Sequence, residues 1–284
     1  MECFCRCESG ILTTIDEQNC RAAAIESPEV PARTATLTPR SVGHAGHLQG
    51  SRELATLRTT TPQLRTLEIR TRLCIIRHGE TDWNADKRIQ GHLDVPLNES
   101  GLRQAHSMAH GLAECRFRAI YSSDLRRAWQ TAKITASQLE IPLRAHEGLR
   151  ERHSGVLEGR TVEELSRYHP EAHARFLDRD PDYRFGKGES MRTFSARVVA
   201  ALEELVASHA GGTLLLVTHG GVLDVVYRIA TGRSLDAPRD YPMPNAGINW
   251  FEHSSTEPVQ FRLVAWAEQY HLEPDLHGGS DHPE

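Results

Sequence analysis

The chain has 284 residues, enough for one large domain or two small ones with a buried core. Its 39% hydrophobic and 25% charged content is that of an ordinary globular protein, and a net charge of -5 gives no reason to expect nucleic acid or an acidic membrane as partner. No apolar run approaches the ~20 residues of a membrane-spanning helix, and the opening MECFCRCESG lacks the basic and apolar regions of a secretory signal, so the cytoplasm is the expected location.

Residues 1–70 are rich in Ala, Thr, Arg, Pro and Ser, without a sustained period of 3.6 or 2. Such a stretch buries too little apolar surface to offset the entropy of ordering, and it reads as a disordered extension or as sequence upstream of the true start. Cys3, Cys5, Cys7 and Cys20 fall here, with no second pair at zinc-site spacing, while Cys74 and Cys115 stand in apolar surroundings. Neither a disulfide framework nor a metal site is expected.

From Leu73 the pattern alternates between strand and helix. LCIIR is a short β-branched run suited to a buried strand. Asn98 is placed to cap a helix whose inner face is expected to carry Leu102, Ala105, Ala109 and Leu112. AIYSS predicts a second strand, and Leu125 to Leu139 a second helix. Two short helices follow at Val162 to Tyr168 and Ala172 to Leu177, then the polar loop DPDYRFGKGES. A longer helix turns Phe194, Val198, Leu202 and Leu205 inward. TLLLV is the clearest core strand and leads into THGG and a helix from Val222 to Ala230. Strands near Ile248 to Glu252 and Phe261 to Trp266 complete a domain spanning 71–270, with a polar tail at 271–284. This order predicts a three-layer α/β/α sandwich with a mostly parallel sheet.

Two strand ends carry histidine, in RHGE (Arg77 to Glu80) and THGG (Thr218 to Gly221). Ligands of open α/β sheets bind beyond the carboxyl ends of the strands, so both histidines should meet at one edge. Each precedes a glycine, which allows a sharp turn and a close approach to a ligand.

The segments RHGETDWN, SSDLRRAWQTA, LRERHSGVLEGR, GESM and LLLVTHGG occur in that order. Together they resemble the histidine phosphatase (phosphoglycerate mutase-like) superfamily, its smaller phosphatase branch, over about Leu73 to Gln269. The resemblance implies a phosphomonoesterase acting on a small phosphorylated metabolite, with no metal and no cofactor. It implies His78 as nucleophile, through a phosphohistidine, and Glu151 as proton donor and then activator of water. His219 would donate to the phosphoryl group, with Arg77 and Arg127 as its guanidinium ligands. Arg126 is expected to be a solvated helix residue. Asn84, Gln90, Gly91 and Gly220 are weaker candidates for phosphate contact, and Asn84 could instead cap a turn. Arg150 and Arg152 flank Glu151 and should both point away from it, because an inward cation would oppose acid catalysis. His92, His106, His110, His153 and His169 show no metal spacing and are expected to be surface or packing residues.

Cofactor-dependent phosphoglycerate mutases, the alternative enzyme reading, follow the acid with a tyrosine and a later lysine. This chain has Ser154 and Val162 there, and no Trp-Arg-Arg segment between Tyr168 and Ser190. Those departures favour hydrolysis, although Arg152, Arg160 and Lys187 could recognise an anionic substrate. A reading of another class, a regulatory module that binds a phospho-ligand without turnover, has no need of Glu151.

Overall fold

The computed structural model describes residues 69–254 and 261–272. The expectations for the N-terminal extension up to residue 68, for its four cysteines and for the tail from 273 lie outside the described residues. Six strands form one sheet: β1 (Arg70–Arg77), β2 (Ala119–Ser122), β3 (Leu143–Ala145), β4 (Thr213–Thr218), β5 (Ile248–Ser254) and β6 (Phe261–Glu268). Their order is β3-β2-β4-β1-β5-β6, and β1 to β4 run parallel. β5 pairs antiparallel with both β1 and β6.

The period of two along β1 builds both cores at once. Leu73 and Ile75 join Leu214 and Leu216 of β4 under α6 (Met191–Ser208) and α7 (Gly220–Thr231), where Phe194, Val198, Leu202, Leu205, Val222 and Val226 lie. Cys74 and Ile76 face the other way, with Leu215 and Val217. They meet Met108 of α2 (Glu99–Gly111), Leu112 that caps it, and Ala128 and Ala132 of α3 (Arg126–Leu139). A sheet covered on both faces needs such continuously apolar central strands, and the result is the expected three-layer α/β/α sandwich. Leu272 is also buried in the second core, just inside the stretch read as tail.

Asn98 caps α2, its side-chain oxygen accepting from the Gly101 N–H at 2.8 Å. The inner face differs from expectation: Leu102 is 40% exposed, while Gly101 and Gln104 are buried. The cause is close backbone contact. A Cβ on Gly101 would lie 2.0 Å from the Glu80 carbonyl oxygen, so the first turn of α2 packs on the loop after β1 through bare backbone. That rotation leaves Leu102 at the rim. A short helix α1 (Asp82–Ala85) and the pair α4 (Val162–Tyr168) and α5 (Pro170–Asp178) complete the helices, with a small satellite core of Leu157, Leu165 and Phe185.

Candidate active site

Parallel register places the two histidines. Arg77 pairs with Thr218, so His78 and His219 each follow the last rung of adjacent strands, and the His78 N–H donates to the Thr218 carbonyl at 2.9 Å. Their ring centroids lie 5.2 Å apart, and both rings are buried. His78 Nδ1 lies 2.7 Å from the Gly79 carbonyl oxygen. A carbonyl can only accept, so Nδ1 carries the proton and Nε2 keeps its lone pair. The ring of His219 lies 2.8 Å through Nε2 from Ser123 Oγ, while its Nδ1 is buried with no protein partner.

Burial pushes both imidazoles well below the ordinary histidine value of 6.5, and the charge on Arg127, then that on Arg77 for His78, adds to the effect. For His219, Arg77 and His78 contribute after Arg127. The site is thus electropositive with neutral imidazoles inside it. The unfolded chain takes up protons at these histidines near pH 6.5 and the folded chain does not, so acidification favours unfolding. Each should therefore cost stability as the pH falls from 7.5 to 5.5. Denaturant unfolding at the two pH values checks this: His219→Asn should remove about half of the loss ascribed to the pair, and an unchanged pH dependence would contradict it.

Arg127, on the first turn of α3, is 1% exposed, whereas its neighbour Arg126 is exposed. It donates to the carbonyls of Leu93 (2.9 Å) and Gly91 (2.8 Å), and its buried Nε has no protein partner. Burial lowers its pKa to about 10, which leaves it cationic at neutral pH. The half-buried Arg77 donates to the Met243 carbonyl. Gln90 is buried with its side-chain oxygen unpartnered, and Gly91 adopts φ +50. Asn84 forms a capping box with Thr81 at α1, and its Oδ1 also accepts from Asn245 at 3.3 Å.

Glu151 is held by two backbone N–H groups, Gly221 to Oε2 at 3.0 Å and Arg152 to Oε1 at 2.7 Å. A Cβ on Gly221 would stand 2.1 Å from Glu151 Oε1, so the second glycine of THGG makes room for the carboxylate. Gly220, the expected contact, opens α7 and has no such neighbour. Gly79 likewise approaches backbone: its Cβ would lie 2.5 Å from the Gly101 carbonyl oxygen, a packing need instead of a ligand's.

Of the two arginines beside Glu151, Arg150 turns to Asp124, with Nε to Oδ1 at 2.7 Å. Arg152 is half-buried, and although burial lowers its pKa, the charges of Glu151, Glu189 and Asp224 act against that. His92, expected as a surface or packing residue, packs against the acid loop with its Nε2 2.7 Å from the Glu151 carbonyl oxygen.

Several side chains of the site escaped the sequence reading. Ser123 sits beside the ring of His219, and Thr131 Oγ1 accepts from the Gly79 N–H at 3.0 Å. Asn245 donates to the His78 carbonyl at 3.0 Å from the loop between α7 and β5, where Tyr241 is bonded to Asp224 and stacked on Tyr227 at 3.8 Å. Arg197 of α6 pairs with Glu189 and donates to the carbonyls of Gly148, Arg150 and Glu151. Ser123 and Thr131 both lie within the segment SSDLRRAWQTA, but nothing in it marks their contacts with His219 and Gly79. A cleft of about 510 Å³ beside His92 is lined by Glu147, Arg150, His153, Glu189 and Arg197, and by none of the five principal residues. Among the described residues no three His, Cys, Asp or Glu side chains converge as a metal-binding group.

The family model of the histidine phosphatase superfamily (branch 1) matches residues 73–269. The chain belongs to that superfamily. This histidine phosphatase is 35% identical over 204 residues to phosphoglycerate mutase-like protein 4 of Arabidopsis thaliana, covering 71% of this chain and 86% of the relative. It is 41% identical over 165 residues to the metal-independent phosphoserine phosphatase of the same plant, covering 55% and 67%. Among solved structures, a mycobacterial glucosyl-3-phosphoglycerate phosphatase superposes with a TM-score of 0.63 at 31% identity, covering 70% of this chain and 100% of that one.

Proposed function

We propose that this histidine phosphatase hydrolyses a small phosphomonoester through a phosphohistidine on His78. One observation carries the reading: two buried, neutral imidazoles 5.2 Å apart stand beside a buried guanidinium whose Nε has no protein partner. Neutral His78 Nε2 would attack phosphorus, the P–O bond to the alcohol would break, and Glu151 would give the departing oxygen a proton. Water, deprotonated by Glu151, would then attack the phosphohistidine, releasing inorganic phosphate and restoring the imidazole. Arg77, Arg127 and His219 would stabilise the phosphoryl oxygens throughout, His219 through Nδ1–H when Ser123 donates to Nε2. Asn84, Gln90, Gly91 and Gly220 are proposed only as the outer frame of this site.

The relatives named for phosphoserine and glucosyl-3-phosphoglycerate phosphatase activity point to phosphorylated hydroxy and amino acids as the first substrates to test. The free thiols Cys74 and Cys115 fit a reducing compartment, and the cytoplasm is the proposed location. Release of inorganic phosphate from phosphoserine, 3-phosphoglycerate and glucosyl-3-phosphoglycerate should persist in EDTA. A mutase reading has support in the first relative's name, so the 3-phosphoglycerate reaction is repeated with bisphosphoglycerate. Isomerisation without net phosphate release would overturn the hydrolase.

A further inference from the structure

We infer that Glu158 is a positioning residue for the reaction proposed above: its carboxylate latches the loop that aligns Arg127 to the loop that carries Glu151. The latch rests on one oxygen. Glu158 Oε1 accepts from the backbone N–H of His92 at 3.1 Å and from that of Ser154 at 2.8 Å. The side chain is only 10% exposed, and His153 Nε2 stands 3.8 Å from the same oxygen.

What Glu158 grips gives it leverage on the site. His92 lies between Gly91 and Leu93, whose carbonyls receive the two terminal nitrogens of Arg127. The N–H of residue 92 and the carbonyls of 91 and 93 are therefore fixed together, the first by Glu158 and the others by the guanidinium. The same His92 reaches the Glu151 carbonyl with its ring. Ser154, the second residue held, lies three positions after Glu151 on the acid loop. Glycine at position 91 fits this packing, because its backbone has φ +50 and a Cβ would stand 2.1 Å from Glu158 Oε1. The chain has accommodated the carboxylate by omitting a side chain opposite it. Two backbone bonds, Gly159 N–H to Ile89 at 2.8 Å and Ile89 N–H to Arg160 at 2.9 Å, join the loops at their far end. Without Glu158 the N–H of His92 would lose its partner at the end facing Arg127, leaving the His92 ring and the Arg127 guanidinium itself to hold that end.

A carboxylate so placed could act by reach or by charge, since its charge also raises the pKa of Arg127. Two substitutions separate these. Glu158→Gln keeps an oxygen at the same reach and removes the charge; Glu158→Asp keeps the charge and shortens the reach. In the full chain, E158D should lower kcat/KM by about 10²-fold, mainly in kcat, as a misplacement of about 1 Å at a catalytic group does. Orthovanadate should bind it correspondingly more weakly. E158Q should stay within about threefold of the wild type in both measurements, and thermal melts should show both variants folded. E158D behaving as wild type would overturn the latch. So would an E158Q as damaged as E158D, and that result decides alone should E158D not fold. A wild type that binds orthovanadate but releases no phosphate would sink the proposed function, while the vanadate affinities of the variants would still test the latch.

Discussion

His78→Ala should lower phosphate release by about 10⁴-fold or more, the scale seen when a covalent nucleophile is removed. The expectation rests on what the ring can do where it stands. Its Nδ1–H is committed to the Gly79 carbonyl, its Nε2 lone pair is free for attack, and burial beside Arg127 and Arg77 keeps it neutral well below pH 6.5. No neighbour can substitute. His219, 5.2 Å away, has Nε2 engaged with Ser123, and Glu151 is tied to two backbone N–H groups. Rapid quenching of the wild type with ³²P-labelled substrate should trap label that is stable to base and released by acid, as a phosphoramidate is. The variant should trap none. Label stable to acid would instead indicate a phosphoester, whereas no label at all, or turnover surviving in a folded H78A, would indicate direct attack by water or another nucleophile.

That His78 could be chosen from the sequence, and Ser123 or Asn245 could not, has a physical basis. His78, Arg77 and His219 lie at strand ends, and a β-branched run followed by His-Gly marks a strand end by local pattern alone. Arg127 was separable from Arg126 only by the resemblance of SSDLRRAWQTA to the family's segment; helix geometry says that adjacent residues point about 100° apart but not which of them faces the sheet. The partners that orient these groups come from far along the chain: Ser123 meets His219 across 96 positions, and Asn245 meets His78 across 167. No period or spacing encodes such contacts. Arg152 is expected to point away from Glu151 because an inward cation opposes acid catalysis, and the Glu189 and Asp224 charges that offset the effect of burial on it come from other elements of the chain. The three-residue β3 was missed because a short edge strand, one residue half-buried and two exposed, carries too little alternation to register. Leu102 was assigned inward because a helical wheel assumes side-chain packing, whereas Gly101 packs by its backbone.

Glu151→Gln should separate the two halves of the reaction. The variant keeps the size of the side chain and an oxygen for one of the two backbone N–H groups that hold Glu151, but can neither give nor take the proton. For an alkyl phosphate such as phosphoserine, the departing oxygen needs that proton, and kcat should fall by about 10²–10⁴-fold. p-Nitrophenyl phosphate has a leaving group that departs unprotonated, so His78 should still be phosphorylated at near the wild-type rate. The second half has no such escape, because the attacking water still requires a base. A burst of p-nitrophenol equal to the number of active sites should therefore precede slow turnover, and phosphohistidine should accumulate. The absence of a burst, with both substrates slowed equally, would mean that Glu151 aligns the site through Gly221 instead of moving a proton. Proton transfer would then belong to another group. If the burst is seen, the charge of Arg152 must be tolerated by an acid that works next to it, with Glu189 and Asp224 sharing that charge. The burst thus reads both the role of Glu151 and the balance of charge around it.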